Sequence, residues 1–459
     1  METRVAIAHF VDSRSDFYAT RRGLVEEESQ RIDWLREEFT CLESAAINSR
    51  DQIASFARQV QQFGAHSLVV HLPIWADPIF TLKLARLCRL PVLLLGNNRP
   101  ETSSLVGVLG AGGALDQAGI RHTRVFDQHS PEGRRKTTAF ARAAGVVGCL
   151  NGQTLGLFGG RSLGITTASA DPAQWQKLFG VDIEAVDQLV IRDLAETLPA
   201  DEVARHMEWL LGRVGSVEYA GRLTPQTLEK QVRSYLATRR LARDGCFDFV
   251  GVKCQPEMSD GYVSQCVAHL LMNSGLDADG EKPVMVHACE SDADGALSMQ
   301  IMHLLNHDQP AALLDIRWLD PGSGLWTLAN CGAVPPAFCA LADDPSGLSQ
   351  IRIVPHVFGK GGGAALTAVI VPQKVTLARL CRRDGAYWMT IIAAQVVQAS
   401  SPAALQITPA FPKAFVKIPE GADFLNEYGS NHIHMTAGDI TEELVAFCEL
   451  TGVPWKLWK

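Results

Sequence analysis

Lys253, Glu290 and Asp315 are where this sequence first points to chemistry. Each stands at or near the end of a short apolar run: FDFVGV at 247–252, VMVHA at 284–288 and AALLDI at 311–316. Such runs, bounded by turn residues, are what strands of a buried parallel sheet look like in sequence. Helical patterns at 260–274 and 292–307 separate them, which predicts a parallel βαβαβ unit. In an open parallel sheet, ligands bind beyond the carboxyl ends of the strands. The expected register therefore brings one ammonium and two carboxylates toward one crevice. Carboxylates in such a place act as metal ligands, as proton-transfer groups, or as both. Taken singly, Glu290 also fits a neighbour of a helix N-cap, and Asp315 a capped strand end. Asp315 is the more telling of the two. A bare carboxylate inside an apolar run costs several kcal/mol unless a cation or hydrogen-bond donors compensate it.

The elements that must position these groups span a chain of 459 residues, long enough for roughly two to four domains. The expected layout is an α/β domain over 1–145, a central α/β domain over 146–318 that carries the carboxylates, and a β-rich domain over 319–459. In the first, strands are expected at 4–10, 67–72 and 91–96, with His71, Trp75, Asn97 and Asn98 at strand ends. Gly160-Arg161-Ser162 follows the apolar TLGLFG. Its spacing is not GxGxxG, which rejects a dinucleotide fingerprint and leaves Arg161 as a candidate for an anion or a hydroxyl-rich ligand. A helix over 224–243 opens with Thr224 as N-cap and Pro225 after it. Beyond 318, strands at 351–356, 364–371, 375–380, 386–392 and 415–418 suit a barrel or sandwich. The glycines of 359–363 lack Walker spacing and read as a flexible loop. His432 and His434 form an HxH pair whose imidazoles share one face of a strand, an arrangement compatible with a metal.

Composition narrows the function classes. Hydrophobic content of 47% and charged content of 20% are those of an ordinary globular protein. A net charge of −8 with no basic stripe argues against nucleic acid. No run approaches the roughly 18 apolar residues of a membrane span; the nearest, YWMTIIAAQVV, is interrupted by Gln395. The opening METRVAIAHFVDSRSDF is broken too early for a secretory segment. Eleven cysteines without a CxxC point to reduced thiols and a cytoplasmic protein. Cys254 and Cys289 flank the site strands, which alone makes neither a nucleophile.

Eight stretches, in order and over nearly the whole length, resemble the L-fucose isomerase and L-arabinose isomerase family of metal-dependent aldose–ketose isomerases. They are HLPIWADP at Trp75, GGRSLG at Arg161, VKCQPEMSD at Lys253, ACESDADGAL at Glu290, LLDIRW at Asp315, NCG at Cys331, VTLARLCRRDG at Thr376 and GSNHIHMTAGD at His432. The resemblance implies an α/β fold: two open doubly wound α/β domains plus a C-terminal antiparallel β-barrel-like domain. It implies one divalent cation, commonly Mn2+ and otherwise Mg2+ or Co2+, held by Glu290, Asp315 and His432, with His434 adjacent to the last. The implied substrate is a monosaccharide, met by Arg161, Lys253, Trp75 and Asn431. The implied assembly is a homo-oligomer, as large as a hexamer, in which Trp75 lines a neighbouring subunit's site. In the implied reaction Glu290 and Asp315 move protons at C1 and C2 through an enediolate. A non-catalytic sugar-binding protein and a metal-dependent aldolase are the rival readings. The chain is shorter than typical L-fucose isomerases, which leaves the sugar itself open.

Overall fold

A computed structural model describes residues 2–418 and 423–459. Its backbone divides into two units, Met1–Cys149 with Glu442–Gly452, and Leu150–Thr441 with Val453–Lys459.

In the first unit, five parallel strands stand in the order β2-β1-β3-β4-β5: β1 Arg4–His9, β2 Thr40–Glu43, β3 Ser67–Leu72, β4 Val92–Gly96 and β5 His122–Val125. The runs are apolar throughout because both faces are covered. Ala6, Ala8, Leu68 and Val70 pack on one side with Phe56 and Leu84, from helices Arg50–Phe63 and Pro78–Cys88. Val5, Ile7, Val69 and Leu93 pack on the other with Leu35 and Phe140. Side chains of successive strand residues point to opposite faces, so one run feeds two cores. The strands expected at 4–10, 67–72 and 91–96 are all present.

The second unit holds a parallel sheet in the order β12-β9-β6-β7, made of β6 Thr154–Phe158, β7 Asp182–Val186, β9 Phe249–Val252 and β12 His287–Cys289. Thr224 caps the helix Pro225–Asp244, its Oγ1 accepting from the Thr227 N–H at 3.2 Å. The helix expected at 292–307 runs Ala293–Leu305. The one expected at 260–274 is broken into Ser259–Gly261 and Cys266–Met272, since the chain at Tyr262 leaves helical geometry.

The expected third parallel strand is elsewhere. Ala311–Leu319 (β13) pairs antiparallel along both edges, with β14 Trp326–Ala329 on one side and β20 His432–Ala437 on the other. An apolar run shows that a strand is buried on both faces, but not which strand lies beside it. Here the partner arrives more than a hundred residues later. With β17 Gln373–Arg383, β18 Ala386–Val397 and β19 Lys413–Lys417, these strands close a six-stranded antiparallel barrel in the order β17-β20-β13-β14-β19-β18. The β17–β18 pairing shuts the ring, and closure leaves no edge exposed. Asp384 and Gly385, both at positive φ, make the two-residue turn that joins those strands. A last strand, β21 Trp455–Trp458, lies parallel to β18.

The strands expected at 351–356 and 364–371 are not barrel staves. They form β15 Arg352–Pro355 and β16 Ala364–Thr367, a separate sheet with β8 Ser216–Val217. A short hairpin joins β10 Leu276–Asp277 to β11 Gly280–Glu281. Nor is the glycine run between β15 and β16 a loose loop. A Cβ on Gly361 would sit 2.1 Å from the Tyr262 carbonyl oxygen, and one on Gly362 2.5 Å from that of Arg222. These glycines are there so that backbone can press on backbone. Among the described residues no helix is long and apolar enough to cross a membrane.

Candidate active site

The register of β13 against β20 places Asp315 directly opposite His432. Directly opposed residues of an antiparallel pair share one face, their Cβ atoms about 4.5–5.5 Å apart. His432 Nε2 accordingly lies 3.6 Å from Asp315 Oδ1, to which Asn431 Nδ2 donates at 3.4 Å. His434 stands two residues further along β20, opposite Leu313. It is wholly buried, and a Cβ on Gly295 would come within 2.7 Å of its Nε2. Of the two histidines, His432 is the one that meets the acids.

Glu290 reaches the same place from the parallel sheet. It follows β12 in a left-handed conformation, φ 59°, and Ser291 repeats it at φ 50°. Such backbone costs about 1–3 kcal/mol per residue and persists where its surroundings fix it. Here the Ser291 N–H donates to Val252 O at 3.1 Å and its hydroxyl to Phe158 O at 3.1 Å, pinning the turn to the ends of β9 and β6. Glu290 Oε2 then lies 3.2 Å from His432 Nε2. The Glu290 and Asp315 side chains remain 13% and 25% exposed, so a ligand can reach both.

A buried anchor holds the imidazole in place. His432 Nδ1 is 2.7 Å from Asp292 Oδ2. Asp292 also caps the helix Ala293–Leu305, accepting from the Gly295 N–H at 2.9 Å. It forms a two-pronged ion pair with Arg379 of β17, at 2.6 and 3.0 Å, and Arg379 donates further to Thr167 O at 2.7 Å. Asp292 and Arg379 are fully buried. An acid behind a ring nitrogen fixes which way the other nitrogen points. Sequence reasoning missed both anchor residues, although Arg379 carried a signal. A lone arginine inside the apolar VTLARL demands a buried partner for the same reason that Asp315 does.

The electrostatics of the site follow from these contacts. Burial works against the His432 imidazolium, yet hydrogen bonds to Asp292 and Glu290 outweigh it and hold its pKa up at about 10. Burial likewise works against Asp292, and the Arg379 charge and His432 overcome it, keeping that carboxyl well below the usual range. Burial raises Asp315. Two acids thus face one centre of positive charge. Donors about 2.1 Å from a common cation stand about 3.0 Å apart at right angles and about 3.4 Å apart tetrahedrally. The two acid–imidazole distances, 3.2 and 3.6 Å, fall near that spacing, whereas the three side chains do not bring one donor each within 4.8 Å of one another, so a shared ion would have to draw the two carboxylates together. Two carboxylates and an imidazole suit a borderline or hard divalent ion.

Among the described residues, the cluster whose possible ligand atoms do all lie within 4.8 Å of one another is a different one, His206, Asp277 and Asp279. Arg239 pairs with both acids at 2.6 and 2.7 Å, and Arg205 with Asp279 at 2.6 Å. Two guanidiniums already answer two carboxylates, which makes this an ion-pair network. The remaining expected residues are spread out. Lys253 follows β9, its Nζ bonded to Glu257 Oε1 at 2.7 Å. It adjoins the turn that carries Arg161, since a Cβ on Gly159 would lie 2.8 Å from the Lys253 Cβ. Arg161 itself is exposed. Trp75 belongs to the first unit, under the Arg14 guanidinium at 5.3 Å.

The anchor has little room to yield. A Cβ on Gly295 would come within 2.5 Å of Asp292 Oδ2 as well as 2.7 Å of His434 Nε2. Gly295→Ala is therefore expected to cost about 1–3 kcal/mol despite its gain in helix propensity. Urea denaturation measures this, and a variant more stable than the parent would show that the packing relaxes freely.

Comparison with known proteins adds the following. Residues 328–459 match the family described as L-fucose isomerase, C-terminal domain. The sulfoquinovose isomerase of Clostridium sp. (strain MSTE9) is 24% identical over 369 residues, covering 78% of this chain and 76% of that protein. Among solved structures, an ABC transporter periplasmic solute binding protein from Actinobacillus succinogenes 130z with bound D-allose shares 10% identity. It covers 67% of this chain and 93% of that one, with a TM-score of 0.16. D-2-hydroxyisocaproate dehydrogenase shares 12% over 66% and 96%, with a TM-score of 0.17. At such scores neither structure bears on fold or function.

Proposed function

We propose that this chain is an L-fucose isomerase-like protein that interconverts an aldose and a ketose with a divalent cation held by Glu290, Asp315 and His432. The observation that carries the reading is the meeting of two carboxylates from different sheets at 3.2 and 3.6 Å from one imidazole nitrogen. Mn2+, Mg2+ and Co2+ all suit that donor set. When bound, such an ion supplies Lewis acidity toward the sugar's carbonyl and hydroxyl oxygens.

The rest falls to the protein. Isomerisation needs a proton taken from one of C1 and C2 and returned at the other, through an enediolate, with a second proton moved between the oxygens. To Glu290, on its rigid turn, this reading gives the exchange of the carbon-bound proton. Asp315, which burial makes a more willing proton holder than a surface acid, suits the transfer between oxygens. Asp292 and Arg379 hold His432 still. Asn431 steadies Asp315, and Lys253 and Arg161 stand at neighbouring strand ends where sugar hydroxyls need donors. The proposal extends to a cytoplasmic homo-oligomer, up to a hexamer, with Trp75 of one copy lining the site of another.

One experiment tests the core of this. Protein stripped with EDTA is incubated in D2O with a panel of aldoses and ketoses, sulfoquinovose among them, with and without Mn2+. Isomerised product is expected only with the metal, carrying deuterium at C1 or C2. Activity indifferent to EDTA overturns the metal requirement, and full retention of the original hydrogen overturns the enediolate. Cleaved products would favour an aldolase, and a bound but unchanged sugar a binding protein.

A further inference from the structure

Arg317 is the cation that the reading above does not use. It sits in a β-bulge: β13 pairs Ile316 with Leu328 and then Trp318 with Thr327, so Arg317 has no opposite residue on β14. Bulges recur beside active sites, where the extra residue re-aims a side chain. This one sends a guanidinium over the ring of Phe411, 5.0 Å from its centre, with Nε 3.9 Å from Asp315 Oδ2. The other oxygen of the same carboxylate faces His432. The Arg317 side chain is 33% exposed.

At 3.9 Å the Asp315 contact is not a hydrogen bond, so the donors of the fork are not committed to it. Phe411 meanwhile fixes the guanidinium in place, which lowers the entropy a ligand must remove on binding. The charge balance points the same way. Arg379 is matched by Asp292, Arg382 by Asp294 at 3.1 Å, and Lys253 by Glu257. A divalent cation cancels Glu290 and Asp315. The positive charge of Arg317 is then left over, one side chain away from the reacting centre. A planar fork with a free charge is the protein's usual receptor for a two-oxygen anion.

Resting on the isomerase reading, we infer that the sugar taken by this site carries an anionic substituent and that Arg317 binds it. Sulfonate, phosphate and carboxylate share the required chemistry. The test measures kcat/KM of the Mn2+-loaded protein for a neutral hexose and for its 6-sulfonate, 6-phosphate and 6-carboxylate counterparts. It uses the parent chain, Arg317→Gln and Arg317→Lys, with circular dichroism to confirm folding. At least one anionic sugar is expected to exceed the neutral one by about 100-fold, and the three arms identify which anion it is. In Arg317→Gln that preference is expected to collapse, mainly through KM, with Arg317→Lys recovering part of it. Calorimetric binding of the preferred anionic sugar to the metal-free protein is expected to weaken in parallel. A parent that uses the neutral sugar equally well overturns the inference and leaves the isomerase reading standing. So does a Gln variant that slows both sugar classes alike. A chain that isomerises neither class removes the reading and the inference together.

Discussion

Glu290→Gln is expected to lower kcat by at least about 1,000-fold while the protein stays folded. Glutamine keeps the shape of the side chain and loses its charge and its ability to take a proton. General acid–base participation alone accounts for about 100- to 10,000-fold, and the loss of one anionic ligand to the cation adds to it. The fold should tolerate the change. The side chain is partly exposed, and the turn that carries it is held through Ser291, not through the carboxylate. A readout independent of turnover separates the two roles. Saturating Mn2+ should raise the Tm of the parent, since an ion bound only by the native state stabilises it by mass action, and should raise that of the variant far less. A Gln variant of full activity ends the assignment of Glu290.

The second large effect lies behind the site. Arg379→Met is expected to destabilise the protein by about 3–5 kcal/mol, the usual result of stripping one partner from a buried ion pair. Asp292 would remain buried and charged, facing only His432 and the Gly295 N–H. The double variant Arg379→Met, Asp292→Asn should regain much of that stability. Asparagine can still cap the helix and accept from the imidazole, and the buried carboxylate without its arginine is gone. Its isomerase activity should nevertheless remain low, because a neutral amide supports the His432 ring less firmly than a carboxylate does. Urea unfolding of the three proteins measures the first part, and turnover the second. If Arg379→Met is as stable as the parent, the buried pair is not what holds this region together.

Much of the structure was visible in the sequence, although which strands lie side by side was not. Glu290 does stand at the end of a parallel strand, as the run VMVHA suggested. Asp315 does not, because its strand belongs to the barrel. It reaches the expected neighbourhood because a cross-strand partner, His432, shares its face. The local pattern that marked 311–316 as a buried strand has no means of naming that partner, since both kinds of sheet hide apolar residues equally well. The same blindness placed β15 and β16 in the barrel. The HxH spacing did mark one face of β20, but the choice of His432 over His434 depends on what packs over each ring, and helix Ala293–Leu305 decides that. Asp292 stood only as the first residue of the expected helix at 292–307, and it caps that helix. Its second duty became visible only when Arg379 and His432 were brought to it from residues far along the chain.

The pairing of β13 with β20 constrains how this protein can change over time. A pleated strand alternates its sides residue by residue. Dropping or gaining a single residue between Ala311 and Asp315, or between His432 and Ala437, would turn one of the two groups outward while the other stayed in place, however well the rest of the stave accommodated the slip. Length changes should therefore gather in connections such as 320–325 or beyond Asp315, where β13 already carries a bulge, and between those paired positions evolution is left with substitution alone.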